Sequence, residues 1–478
     1  MPVALVVIVG AGPAAAQTTP AAAPSATPLT WSVRNTTRVE SWRYFQPNPG
    51  GGNPDSTFVG NRLTLTVRAR RQWFEGTAAL QYVQFGGLPT GASGPGALGT
   101  GALYYGLAGR RDSRQLYVRT LSLTGTHAAS GLRLQAGRFG LTAGGESPSG
   151  DAAIETVKRQ RVDARLLGEF EWSLYQRAFD GARLDLDRSR WHASAAMVRP
   201  TQGGFEDEAG APMRGVRVVT ASLTAKPGLL FGRTDVQAFV YHYNDARAVR
   251  ARPDNSGLTA PRIDVSITTL GATLTGAYPA GPGRIDTLLW AVRQTGNWYG
   301  QDHDASAVAV EAGYQWPTAP WRPWLRVGLF RGSGDTDPGD STHGTFFQML
   351  PTGRKYAFSV VYNLMNLTDR FVQLQTRPHQ KLGARLDLHR LRLTSAADLW
   401  YAGSGATTAV GTGFGYVGRR ANNSRDLGWI VEGSADWTVS RRVSLNGYLG
   451  RMSGGEVVAR LFRGTSLTYG YLESIISF

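Results

Sequence analysis

From Leu29 onward the chain alternates apolar and polar residues with period two, and no stretch shows a convincing helical period. In Arg62–Arg71, Leu63, Leu65, Val67 and Ala69 share one face, opposite Arg62, Thr64, Thr66, Arg68 and Arg70. Lys381–His389 sets Leu382, Ala384, Leu386 and Leu388 against Lys381, Arg385, Asp387 and His389. Arg322–Phe330 sets Leu325, Val327 and Leu329 against Arg322 and Arg326. Ala307–Trp316 and Asp426–Thr438 repeat the pattern, with Glu311, Glu432 and Asp436 on the polar side. Long strands with an apolar face and a charged face fit a wall between lipid and water. A β-sandwich also alternates, but its strands are shorter. Trp31, Trp73, Trp316, Trp400, Trp429 and Trp437 stand near the ends of the runs, where interfacial girdles are expected.

Connections test that reading. Short ones follow Trp73, Asp187, Lys226, Tyr278, Trp316 and Val439. Long ones fall at 46–57, 86–112, 141–170, 200–213, 244–261, 296–305, 333–353, 403–424 and 452–464. The near-perfect alternation predicts an all-β, transmembrane antiparallel barrel of about eighteen strands, with short turns at one end and long external loops at the other. One stretch breaks the rule: 364–379 is long yet falls on the turn side. It is expected to be a long periplasmic turn whose Asp369, Arg370 and Arg377 reach the bore. The final LESIISF ends in Phe478, which suits the last strand of such a barrel.

Residues 3–16 read as a signal core ending in a small-residue cleavage site before Gln17, although a basic start is missing. Residues 17–28 read as a Pro/Ala linker, which leaves 29–478 for the barrel. Elsewhere no run is apolar for the roughly 18 residues a membrane helix needs. Cysteine is absent, which removes disulfides, thiolate metal sites and cysteine nucleophiles.

The formal net charge is +16, carried almost wholly by arginine, since the only lysines are Lys158, Lys226, Lys355 and Lys381. Arginine favours planar, bidentate recognition of carboxylate or phosphate. A GC-rich genome would also inflate arginine, but would not choose which face it takes. The stretch Lys158–Asp187 runs from a basic segment through Phe170 and Trp172 into an amphipathic strand, as expected of an external loop folded into a channel or of a basic surface loop. Candidate pore residues are Arg62, Arg68, Arg70, Arg133, Arg138, Arg161, Arg165, Arg177, Asp180, Arg183, Asp185, Arg322, Arg326, Arg385 and Asp387. For any single arginine, an ion pair that braces the wall is the competing role. Repeated weak cationic contacts would pass an anionic polymer along.

GRFGLTAGGE (137–146), RLLGEFEWSLYQRAFDGARLDL (165–186), GSGDTDPGDSTHGTFFQMLPTGRKY (332–356) and the NL…RP…KLGARLDLHRLRL course (366–393) resemble the alginate export family of outer-membrane barrels. RAFDGAR and SGDTDP…GTFFQMLPTG are the more specific pieces. The resemblance implies a monomeric eighteen-stranded barrel with an electropositive pore, an occluding external loop and a long periplasmic turn. Residues 141–170 and 364–379 stand where the last two would be. The loop after Gly140 departs from the family pattern in carrying a longer, acidic-then-basic insert.

The expected partners are an anionic, uronate-type polysaccharide, outer-membrane lipids and periplasmic export components. The alternatives are an anion-selective porin for small organic acids and a non-conducting scaffold or adhesin barrel. No cofactor is expected. The histidines (127, 192, 242, 303, 343, 379 and 389) show no metal-ligand spacing, no phosphate loop precedes a helix, and no Ser/His pair can be placed. Neither an enzyme nor a nucleic-acid module is therefore expected.

Overall fold

The computed structural model describes residues 29–478 apart from 95, 98, 206–207, 353–360 and 412, so the signal and linker readings lie outside the described residues. Eighteen strands form one closed antiparallel sheet. They are β1 Leu29–Arg43, β2 Asp55–Arg71, β3 Phe74–Gly86, β4 Ser113–His127, β5 Leu132–Phe139, β6 Phe179–Asp187, β7 Trp191–Pro200, β8 Val216–Ala225 and β9 Thr234–Asp245. The second half comprises β10 Val265–Ala280, β11 Gly283–Trp298, β12 Gln301–Gln315, β13 Trp324–Gly332, β14 Leu367–His379, β15 Leu382–Leu393, β16 Asp426–Thr438, β17 Val443–Gly454 and β18 Ser466–Ser477. Each strand pairs with its sequence neighbours, and β1 pairs with β18 to close the ring. Closure leaves no unpaired ladder edge to face lipid, which is what allows strands to span a membrane at all.

Alternation becomes inside and outside. On β2, Leu63 and Leu65 are 38% and 40% exposed on the outer face while Arg62 is 5% exposed within. Leu121, Leu223, Leu270, Val310, Leu386 and Leu472 continue the apolar outer face around the wall. At the short-turn end Trp31, Trp73, Trp321, Trp437 and Phe478 are exposed, forming an aromatic belt at one interface. Trp400 is not part of either belt: it is buried in the external loop between β15 and β16.

Two connections differ from expectation. The stretch 296–305 is no long loop; β11 and β12 are joined by Tyr299–Gly300 alone, with φ of 52° and 86°. Positive φ at both central residues matches the strand twist of a tight hairpin, and glycine takes that conformation without strain. The long periplasmic turn at 364–379 is also overturned. Leu367–His379 is strand β14, paired along its length with β13 and β15, and the turn is only 380–381. Its Asn, Asp and Pro residues read as turn signals, but Asp369, Phe371 and Gln373 face inward while Val372 and Leu374 face out. Pro378 sits at a register shift near the strand end, where a missing ladder donor is tolerated.

The loop-side half of the bore is filled. Residues of the loops 140–178, 201–215, 333–366 and 394–425, among them Leu167, Phe170, Phe205, Phe346, Leu350 and Phe414, form one buried apolar cluster with Val83, Tyr243, Trp290 and Trp298 of the wall. Leu391, off the parity of the outward Leu386 and Leu388, points inward into this cluster at 0% exposure. An apolar residue on the inner face is what a wall covered by folded loops requires. The turn-side half stays polar.

Candidate functional site

The loop 140–178 folds into the lumen and is fastened to opposite walls. It contains α1 (Ala152–Val157), capped by Asp151, whose carboxylate accepts from the Ala153 and Ile154 amides at 2.8 and 3.3 Å. A wide helical turn, Lys158–Val162, follows and carries the basic side chains. Lys158 pairs with Asp235 of β9 at 3.1 Å, and Gln160 exchanges amide bonds with Gln375 of β14. On the other side Arg62 of β2 donates to the Ser173 carbonyl at 3.1 Å. Leu174 lies so close to β2 that any Cβ at Gly60 would meet its methyl at 2.2 Å.

The strongest fastening is a buried charge cluster. Arg161 grips Glu311 of β12 with two bonds, Nε to Oε2 at 2.8 Å and Nη2 to Oε1 at 3.1 Å. Arg165 approaches the same carboxylate at 3.4 Å, and Arg326 of β13 at 3.1 Å. Arg326 also pairs with Asp286, which accepts from Trp324 Nε1 at 2.8 Å. Arg161, Arg165 and Arg326 are each 3% exposed or less, so a solute in the lumen meets almost none of their surface.

Below the loop lies a cavity of about 790 Å3. Its lining includes Arg34, Arg62, Arg68, Arg119, Arg133 and Arg159 beside Glu75, Asp163, Glu169 and Glu171. A second cavity of about 400 Å3 opens between the turn-side ends of the strands. It is lined by Arg159, Arg322, Arg377, Lys381 and Arg385, with Asp436 the only carboxylate and Trp316 and Trp437 at its sides. Arg159 and Gln160 line both cavities, so the tip of the inserted loop stands between them.

The sequence candidates therefore separate. Arg62, Arg68 and Arg133 line the larger cavity, and Arg322 and Arg385 the mouth. Arg183 pairs with Asp185 at 2.8 Å on the inner wall, and Asp185 also meets Arg133 at 3.3 Å. Asp387 is held by Arg385. Arg70 lies at the exposed end of β2, opposite Glu75. Arg177 precedes β6 and does not hold the wall. It is buried among the loops, where it donates to the Ser404 carbonyl at 2.8 Å, and burial lowers its pKa to about 10. Arg138 and Asp180 face away from the bore and are corrected accordingly. They share strand parity with the exposed Leu134 and Leu184 and form a two-bond ion pair, 2.7 and 2.8 Å, at the loop-side edge of the wall, where Arg138 also donates to the Gly210 carbonyl at 2.7 Å.

Arg119 was missed. A bulge opposite Ala79 and Leu80 turns it inward, where it pairs with Glu169 of the inserted loop. Its signal was readable: the outward apolar set changes from Leu116 and Val118 to Leu121 and Leu123, a parity switch that an extra residue produces. Arg377, expected to reach the bore from a turn, lines the mouth from the end of β14, whereas Arg370, expected there too, lies on the outward parity of Val372. Lys381 lines the mouth without having been a candidate.

Solved structures share this architecture. OccK9 (OpdG) of Pseudomonas aeruginosa superposes with a TM-score of 0.55 at 11% identity, covering 94% of this chain and 98% of the other. OccAB4 of Acinetobacter baumannii gives 0.54 at 10% identity, with 94% and 98% covered. P. aeruginosa OccK2 (OpdF) in complex with glucuronate gives 0.53 at 9% identity, with 94% and 96% covered. At such identities the likeness is one of fold. No curated protein matches the chain. The closed barrel and its apolar outer face, together with the alginate-export match over residues 156–460, place the protein in the bacterial outer membrane as a channel-type barrel. The profile for alginate export matches residues 156–460, from the inserted loop to the last external loop, and the chain belongs to the alginate export family.

Proposed function

We propose that this barrel passes an anionic, uronate-type polysaccharide or its oligomers, and that the polymer is met first at the turn-side mouth. One observation carries the reading: four cationic side chains against one carboxylate at the mouth lead, past the shared Arg159, into the larger cavity lined by five further arginines and four carboxylates. A surplus of one sign inside low-dielectric walls focuses the field and concentrates counter-ions. Arginines interleaved with acids keep each contact weak enough to be released, as conduction requires. Trp316 and Trp437 add flat apolar surface for sugar rings at the mouth.

A second reading, a channel for small organic acids, is supported by the neighbouring barrel solved with glucuronate, a single uronate unit. The test is current through single channels in a planar bilayer. Anion selectivity with block by oligouronates longer than a dimer supports the polymer reading. Block that is equal for monomer and oligomer supports the small-acid reading. Cation selectivity or no conductance overturns both, and no conductance favours a scaffold barrel. Each arginine that meets a carboxylate contributes on the order of 1–3 kcal/mol as a charge-assisted bond. Replacing Arg68 and Arg159 together by Gln is therefore expected to weaken oligouronate block tenfold or more, at ~1.4 kcal/mol per decade, while neutral oligosaccharides are unaffected.

A further inference from the structure

We infer that the inner wall at β14–β17 holds a divalent transition-metal site made by His389, Asp387 and Glu432. Ligand atoms of these three residues lie within 4.8 Å of one another. The sheet register brings them there: Asp387 stands directly opposite Glu432, and His389 follows two positions along the same inward face. His389 and Asp387 are 3% and 1% exposed, while Glu432 is only half-buried.

Two further features point to an ion. Asp369 of β14 lies 2.9 and 3.1 Å from His389 Nδ1 through its two oxygens. A carboxylate only accepts, so Nδ1 carries the proton, and in the neutral ring Nε2 presents its lone pair. This carboxylate–histidine pairing is the arrangement that orients metal-bound histidines and raises their basicity. Second, Asp387 Oδ1 is buried without a hydrogen-bond partner, because Arg385 engages Oδ2. Tyr448 likewise donates to Oε2 of Glu432. A cavity of about 20 Å3, enough for one small ion or water, lies beside the site, against Arg385, Asp387, Glu432, Ser434 and Tyr448, with His389 just beyond its lining.

The charges agree. Asp369, Asp387 and Glu432 stand together with the Arg385 guanidinium on Asp387, while the next cation, Arg161, also acts on Asp387 but is held by Glu311. A divalent cation balances the remaining negative charge when His389 is neutral. One imidazole and two carboxylates form a borderline donor set suited to Zn2+, Mn2+ or Co2+. With Glu432 half-exposed to the lumen, the ion keeps a position for water or for a solute carboxylate.

The test uses the whole barrel without a histidine tag, stripped with chelator and then titrated with Zn2+ by calorimetry and with Co2+ by visible absorption. Saturable uptake of one ion per chain is expected. His389→Ala and Glu432→Gln should each weaken it at least tenfold, and Asp369→Asn by 10–100-fold through the loss of histidine orientation. Folding of every variant is checked by heat-modifiable gel mobility, and Glu432→Gln keeps size and shape if His389→Ala does not fold. No saturable uptake overturns the site. So does uptake unchanged in a folded Glu432→Gln variant, which would assign the ion to other histidines. A water bridging Asp387 Oδ1 and the equally unpartnered Gln373 Nε2, or a protonated His389, gives the first of these results.

Discussion

Glu311 shows how a single carboxylate can decide what an arginine is for. Its two oxygens meet Arg161, Arg165 and Arg326 in a buried site. Removing one partner of a buried pair leaves the others uncompensated, at a cost of about 3–5 kcal/mol. Glu311→Gln is therefore expected to lower unfolding stability in detergent by that order, whereas Glu75→Gln in the open cavity should cost about 0–1 kcal/mol. Equal losses in urea titrations of the two variants would sink the bracing role. Strand parity in the sequence placed Glu311 and Arg326 on the inner face; the same rule, had it been applied to Arg138 and Asp180, would have removed them from the pore candidates, since they lie on the opposite parity from Arg133 and Asp185. What parity does not give is the partner: Arg161 reaches Glu311 across the lumen, and a non-local contact of this kind leaves no periodic signal. Asp398 in the loop after β15 gives a pH-dependent case. Its carboxylate accepts from Thr345, Tyr401 and the Asp335 amide, and burial raises its pKa to about 6. Between about pH 4 and 6 the folded state holds a proton that an unfolded aspartate has lost, so its contribution falls as pH rises. Proteolysis of the loops 333–366 and 394–425 should then be slower at pH 5 than at pH 7.5, and Asp398→Asn should flatten the difference.

Strands were legible where polar and apolar residues alternate, and were lost where a functional inner face imitates a turn. Asp369, Arg370 and Pro378 made β14 look like a connection, and the Asn, Gly and Asp residues around Tyr299–Gly300 made a hairpin look like a long loop. At the loop-side end the pattern blurs for another reason: Leu391 and Leu393 are inward yet apolar, because loops cover them. The inserted loop was recognisable from its basic run, but not the extent to which its cations are spent on the wall. Its lower segment stands between the two cavities, which leads to a prediction at this scale. Replacing residues 147–163 by a short Gly/Ser linker should raise single-channel conductance several-fold, since it removes Arg159, Gln160 and the fastening at Asp235 and Glu311. Unchanged conductance in a folded barrel would move the restriction to the loops 333–366 and 394–425. The variant should also be less stable, because Ile154, Val157 and Val162 are buried at 0–3% exposure.

The two ends of the barrel are built for different tasks. On the loop side, aromatic and aliphatic residues pack into a continuous plug; on the turn side, the bore opens between Arg322, Arg377, Lys381 and Arg385. A polyanion approaching from the turn side meets exposed cations at once, while one approaching from the loop side meets packed loops. Block by an oligouronate should therefore depend on the side of addition. With the barrel inserted in one orientation, addition at the turn side should block at concentrations at least tenfold lower than addition at the loop side. Arg322→Gln, Arg377→Gln and Lys381→Gln combined should remove most of that difference, because these residues leave the larger cavity untouched. Exposed charges act through solvent, so the asymmetry should also shrink as salt rises from 0.1 M toward 1 M and the screening length drops from about 10 Å to about 3 Å. Equal block from both sides at low salt would place the selective step deeper, at Arg62, Arg68 and Arg133. An asymmetry that survives high salt would instead assign it to stacking on Trp316 and Trp437, which salt does not screen.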